Sequence, residues 1–208
     1  MRNKSRSIAH AALIAALYVV LTHFQNLLLP GSASWAIQCR LSEALCVLAL
    51  FTPAAIPGLT VGCLLFNITF AAALPLDWFV GSLATLCATG AMGALKNIRV
   101  KGYPLPSMLM PALFNALFVG WELSVYIGGA FAVNALYVAL GEIIALLTCG
   151  TVLFQAFEKR GLALRLFHNQ KRKRAIGTLF SFISAHFSPI GIKSQQYSEI
   201  YFAKAPCL

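Results

Sequence analysis

The sequence predicts an all-α membrane protein, a bundle of six transmembrane helices with both ends in the cytoplasm. Three observations predict it. Hydrophobic residues make up 59% of the 208 positions and charged residues only 11%, where a soluble domain carries about 25% charged residues. Mean hydropathy is +0.77, so a single domain of this length could not cover its own surface with polar groups in water. Apolar runs follow one another, with proline and glycine between them, and the basic clusters flank those runs.

A spanning helix needs about 20 apolar residues. The first span is predicted over Ser7–Leu29, stopped by Pro30, Gly31 and Ser32. The second, over Ile37–Leu50, is short and carries Arg40 and Glu43, so its start is read as interfacial. The third runs over Ala55–Leu74, with Pro75 as punctuation, and the fourth over Asp77–Leu95. A loop from Lys96 to Pro106 follows, then a fifth span over Ser107–Ile127. Gly128 and Gly129 make a tight turn into the sixth, Ala130–Phe157. Residues 1–165 form the transmembrane domain, and residues 166–208 a basic cytoplasmic tail, disordered or lying along the membrane surface.

Orientation follows from lysine and arginine placement. Basic clusters sit at the N-terminus (Arg2, Lys4, Arg6), in one loop (Lys96, Arg99, Lys101) and in the tail, including Lys171 to Arg174. Six crossings put every cluster on the cytoplasmic side, whereas five or seven would strand one outside. The net charge of +10 is thus an orientation signal and a complement to anionic lipid, not a nucleic-acid surface. The first apolar run is long enough to span and has no convincing cleavage site, so it is read as a helix rather than a leader.

Absent motifs exclude several chemistries. There is no G-x-x-x-x-G-K-[ST] phosphate loop, no H-E-x-x-H and no G-x-S-x-G. The six cysteines form no C-x-x-C pair and the four histidines do not cluster, so no metal, disulfide or cofactor role is expected. A membrane-embedded hydrolase would need one of these signatures.

An ionisable residue inside a membrane costs on the order of 2.5–3.5 kcal/mol on insertion scales and is a functional candidate by default. The candidates are Arg40, Glu43, Asp77, Glu122 and Glu142, and all fall in the outer half or near the middle of the predicted spans. So do Asn67, Trp78, Asn115, Trp121 and Asn134. Each has a structural reading beside the functional one. Arg40 and Glu43 are three apart and can pair with each other. Asp77 follows Pro75 and can cap its helix. The asparagines can bond between helices, and Trp35, Trp78 and Trp121 can belong to an interfacial belt. Glu122 and Glu142 have neither a cap to form nor a basic neighbour in sequence. Four carboxylates and one arginine make an acidic, aromatic pocket suited to a cationic or donor-rich planar ligand. In the first span, Ala11-x-x-x-Ala15 and Ala12-x-x-x-Ala16 are small-residue ladders that let another helix approach closely.

The stretch Ile37-Gln38-Cys39-Arg40-Leu41-Ser42-Glu43-Ala44-Leu45 resembles the I-Q-x-R-[IL]-S-E-A-L signature of the QueT family. Further matches follow at Ile56 to Leu59, Gly62, Cys63, Asn67, Asp77 to Leu86, Asn115-Ala116 and Gly141-Glu142. The resemblance covers residues 7 to 160 and not the tail. It implies the substrate-binding S-component of an energy-coupling factor (ECF) transporter for queuosine precursors. It also implies a six-helix S-component fold, a transmembrane coupling protein docked on Ala12 and Ala16, and two cytoplasmic ATPases. The implied ligand is a 7-deazaguanine such as preQ1, and no nucleic acid is expected. An S-component for another vitamin-like molecule and a stand-alone secondary transporter are the alternatives.

Overall fold

The structure, a computed structural model, describes residues 2–30, 40–70, 73, 75–159, 162, 163, 166 and 167. The chain divides into two units, Met1–Leu162 and Ala163–Leu208. Trp35, the signature residues Ile37 to Cys39 and the basic run Lys171 to Arg174 lie outside the described residues.

The described regular elements are helices: α1 (Arg2–Leu28), a 3-10 helix (Leu41–Leu50), α2 (Ala55–Thr69), α3 (Pro75–Leu95), a short α4 (Leu105–Met108), α5 (Met110–Tyr126), α6 (Phe131–Ala145), a π turn (Leu146–Gly150) and α7 (Thr151–Lys159). The last three run on from one another. Pro75 begins α3 rather than merely preceding it, which suits a residue without an amide hydrogen at a position where none is needed. Gly128 and Gly129, with φ of 84° and 86°, turn α5 into α6 in a conformation that a side chain would strain.

The second predicted span departs from expectation. It is a 3-10 helix, and from Ser42 to Ala49 every residue is buried. Ten residues at about 2.0 Å each rise about 20 Å, where an α-helix of that length rises about 15 Å. The segment is therefore thin and stretched, and it runs buried through the middle of the bundle. It touches α1, α2, α3, α6, the π turn and α7. The third predicted span also ends early, at Thr69.

Side-chain bonds fix which helix ends lie together. At one end, the Leu41 amide donates to Gln25 Oε1 (2.7 Å), His23 meets Thr69 Oγ1 (3.0 Å), and the Leu76 amide donates to Tyr126 Oη (3.3 Å). At the other, Ser107 Oγ donates to the Met92 carbonyl, Gln155 Nε2 to Tyr103 Oη, and Arg99 pairs with Glu158 at 2.6 Å. The chain thus passes to and fro through the bundle, and α1 begins at the end where α7 finishes. The Arg99–Glu158 pair is exposed and contributes about 0.2–1 kcal/mol. Phe51 stacking on Phe154 and Phe157 seals this end.

Close approach rests on missing side chains. A Cβ on Gly58 would lie 2.7 Å from the Ala11 carbonyl oxygen, and one on Gly62 would lie 2.9 Å from Tyr18 Cβ and 3.0 Å from the Ala15 carbonyl oxygen. The two ladders of α1 therefore divide. Ala11 and Ala15 seat α1 on α2, while Ala12 and Ala16 stay exposed. Around them Leu13, Val20, Phe24 and Leu27 point outward, a surface that water would not tolerate and lipid does. Four helical stretches are long and apolar enough to cross a membrane: Lys4–Leu28, Pro75–Leu95, Leu105–Tyr126 and Phe131–Lys159. The 3-10 helix and α2 are shorter.

A candidate binding site of buried acids

Three of the four predicted carboxylates are buried in the core of the bundle. Glu43, in the 3-10 helix, is 2% exposed. Its Oε1 accepts from Tyr18 Oη at 2.7 Å and its Oε2 from Cys46 Sγ at 3.2 Å. Beside it, Thr22 Oγ1 donates to Ser42 Oγ at 2.7 Å. Tyr18 and Thr22 stand four apart on α1, so one inward stripe of that helix supplies both. Tyr18→Phe removes the hydroxyl from a buried carboxylate and is expected to cost about 1–3 kcal/mol, measurable as a lower Tm.

Glu142, also 2% exposed, lies eleven residues into α6. Asn115 Nδ2 donates to its Oε1 at 2.9 Å, and its Oε2 is buried with no partner. Glu122, on the inward stripe of α5 that also carries Asn115, has a buried Oε1 with no partner. Its carboxyl group is in hydrogen-bond contact with that of Asp77. Asp77 is in the first turn of α3, where the helix dipole favours a negative charge.

Arg40 lies at the hub. It precedes the 3-10 helix, covers the Phe66 ring at 5.8 Å, and is within electrostatic reach of Glu43, Glu142 and Glu122. Acids from three elements thus share one guanidinium, and two keep a buried oxygen without a partner. An unsatisfied buried acceptor costs about 1–3 kcal/mol, more when charged, so such atoms persist where something else is meant to satisfy them.

The remaining predicted residues have other neighbours. Asn67 is buried and donates to the Asp77 carbonyl at 2.8 Å, tying α2 to the start of α3. Gly81 makes room for it: a Cβ there would lie 2.9 Å from Asn67 Nδ2. Asn134 donates to Ser124 Oγ and the Gly128 carbonyl, bracing the α5–α6 turn. Trp78 heads the stripe that continues through Ser82 and Thr85, and its Nε1 is buried without a partner. Trp121 is 51% exposed. It lines an apolar groove of about 560 Å³ with Val80, Leu83, Leu117, Phe118 and Phe131. That groove holds no charged group and faces where lipid would lie.

The sequence reading passed over Tyr18, Thr22, Asn26 and Ser42. A signal was present: Tyr18, Thr22 and Asn26 recur every fourth residue within the apolar run, a polar stripe on a single face.

Among the described residues, apolar helices around buried acids define a multi-pass membrane protein. The sequence model of the QueT transporter family matches residues 8–159. The chain belongs to that family, as its second-span and Asp77 to Leu86 motifs implied, and is a membrane transport protein. No curated protein and no solved structure matches it.

Proposed function

We propose that this chain is the S-component of an ATP-driven ECF importer that captures a queuosine precursor, a 7-deazaguanine such as preQ1, from outside the cell. The observation that carries the reading is the pair of unpartnered buried oxygens, Glu122 Oε1 and Glu142 Oε2, set around Arg40. A flat base with an N–H-rich edge and an aminomethyl cation supplies the donors that these oxygens lack. Six crossings with both termini in the cytoplasm open the acid-bearing end to the outside. The 3-10 helix and α2 rise only about 20 Å and 22 Å, and their burial in the bundle spares them from facing the full thickness of lipid.

Without a phosphate loop in its sequence, the chain draws on two partner ATPases through a transmembrane coupling protein. The exposed Ala12 and Ala16 on α1 form the docking strip. In proteoliposomes, labelled preQ1 is expected to accumulate only when the coupling protein, both ATPases and ATP are present. Ala12→Leu with Ala16→Leu should abolish uptake and co-purification with the coupling protein while preQ1 binding stays within about twofold of wild type. Uptake by the chain alone would instead establish a stand-alone carrier.

A further inference from the structure

We infer that Asn26 and Trp78 form a second, rim-level part of the ligand site that reads a hydrogen-bond acceptor on the ligand, opposite in sense to the acids Glu122 and Glu142. This inference rests on the S-component reading above. Among the described residues, five side-chain atoms are buried without a partner: Asn26 Nδ2 and Oδ1, Trp78 Nε1, Glu122 Oε1 and Glu142 Oε2. They are not scattered. Their four residues lie on four helices, and Asn26 continues the inward stripe of Tyr18 and Thr22 on α1, while Trp78 leads into Ser82 and Thr85 on α3.

Depth sets Glu142 apart from the other three residues. Asn26 is two residues from the end of α1, and Trp78 three residues beyond the first residue of α3, at the end of the bundle where Leu41 meets Gln25 and Leu76 meets Tyr126. Glu142 is eleven residues into α6, about 16 Å from its first residue and so about 12 Å deeper than Asn26 and Trp78, whereas Glu122 is four residues from the end of α5 and lies at the rim with them. The deep atom, Glu142 Oε2, is a carboxylate oxygen. The rim holds both unpartnered donors, the indole N–H and the carboxamide N–H₂, together with one amide oxygen and Glu122 Oε1.

Among the described residues none of the five has a hydrogen-bond partner, and all five are buried. A carboxamide with its donor and its acceptor both vacant matches a ligand edge that presents an acceptor beside a donor, as a lactam C=O beside its N–H does. An indole N–H accepts no substitute for an acceptor. The ligand class that completes all five atoms is a planar heterocycle with a lactam edge toward the rim and N–H or cationic donors toward Glu122 and Glu142.

The test is calorimetric titration of the purified full-length protein with two probes. One is preQ1; the other is its 6-amino counterpart, in which the lactam oxygen is replaced by a donor. Wild type is expected to prefer preQ1 by about 100-fold or more, because the swap leaves buried donors facing a donor. Asn26→Leu and Trp78→Phe should each lose about 10-fold to 100-fold in preQ1 affinity and bring the two probes toward parity. Both variants replace an unsatisfied buried group by an apolar one of similar shape, so the ligand-free Tm should hold or rise. A residue whose role is structural would lower it.

Three outcomes overturn the inference: wild type binding both probes alike, both variants binding preQ1 as wild type does, or both variants losing Tm together with affinity. Failure of wild type to bind any 7-deazaguanine would overturn the S-component reading itself, and this inference with it.

Discussion

Glu142→Gln is expected to lower affinity for preQ1 by about 100-fold, about 2.7 kcal/mol, while the protein still inserts and folds. The expectation follows from where the two oxygens of Glu142 go. Oε1 already accepts from Asn115 Nδ2 at 2.9 Å, and a glutamine carbonyl can keep that bond. The vacant Oε2 becomes an N–H₂ group, which donates where the proposed ligand also donates. Glu122→Gln should act in the same direction and more weakly, because Asp77 remains beside it to receive a cation. Equal affinities for wild type and Glu142→Gln would show that the vacant oxygen faces no ligand.

Gly62→Leu is expected to cost about 3 kcal/mol or more, read as a lower Tm in detergent. Three atoms of α1 lie within 3.1 Å of the position its Cβ would take, two of them backbone. The Ala15 carbonyl oxygen and Cα cannot swing aside as the tip of a side chain would, so α1 and α2 must separate along their contact. Overpacking of this kind costs about 1–3 kcal/mol even where the surroundings can adjust. Separation would also draw Tyr18 away from Glu43, coupling the loss to the site. Gly120→Leu should behave alike, since its Cβ would fall 2.7 Å from the Ala135 Cα on α6. Gly90 gives the contrast. A Cβ there meets nothing within 4 Å, so Gly90→Ala in the helix interior should stabilise by about 0.5–1 kcal/mol.

Helix existence was legible in the sequence because apolar runs bounded by proline and glycine leave little else to form in lipid. The 3-10 geometry of Leu41–Leu50 was not. Apart from Ser42 and Glu43 its residues are apolar, a pattern that fits any helix buried on all sides, and only the depth to be covered by ten residues favours the stretched form. Among the acids, Glu122 and Glu142 stood out because nothing in sequence explained them. Asn67 and Asn134 carried the same polar signal, yet they meet the Asp77 and Gly128 carbonyls, partners that sequence spacing does not reveal. Trp121 illustrates a different limit. It adjoins Glu122, but one residue along a helix turns about 100°, enough to move a side chain from the interior to the lipid-facing groove. The two alanine ladders of α1 are one residue apart, and only the position of Gly58 and Gly62 on α2 decides which of them is free.

The most direct test of the binding claim is a calorimetric titration of preQ1 into the purified full-length protein in detergent, with Glu122→Gln and Glu142→Gln measured alongside. The account predicts saturable one-to-one binding to wild type that weakens in both variants, about 100-fold in Glu142→Gln. No heat with preQ1, preQ0 or queuine would contradict it, leaving a multi-pass transport protein whose acids serve another solute.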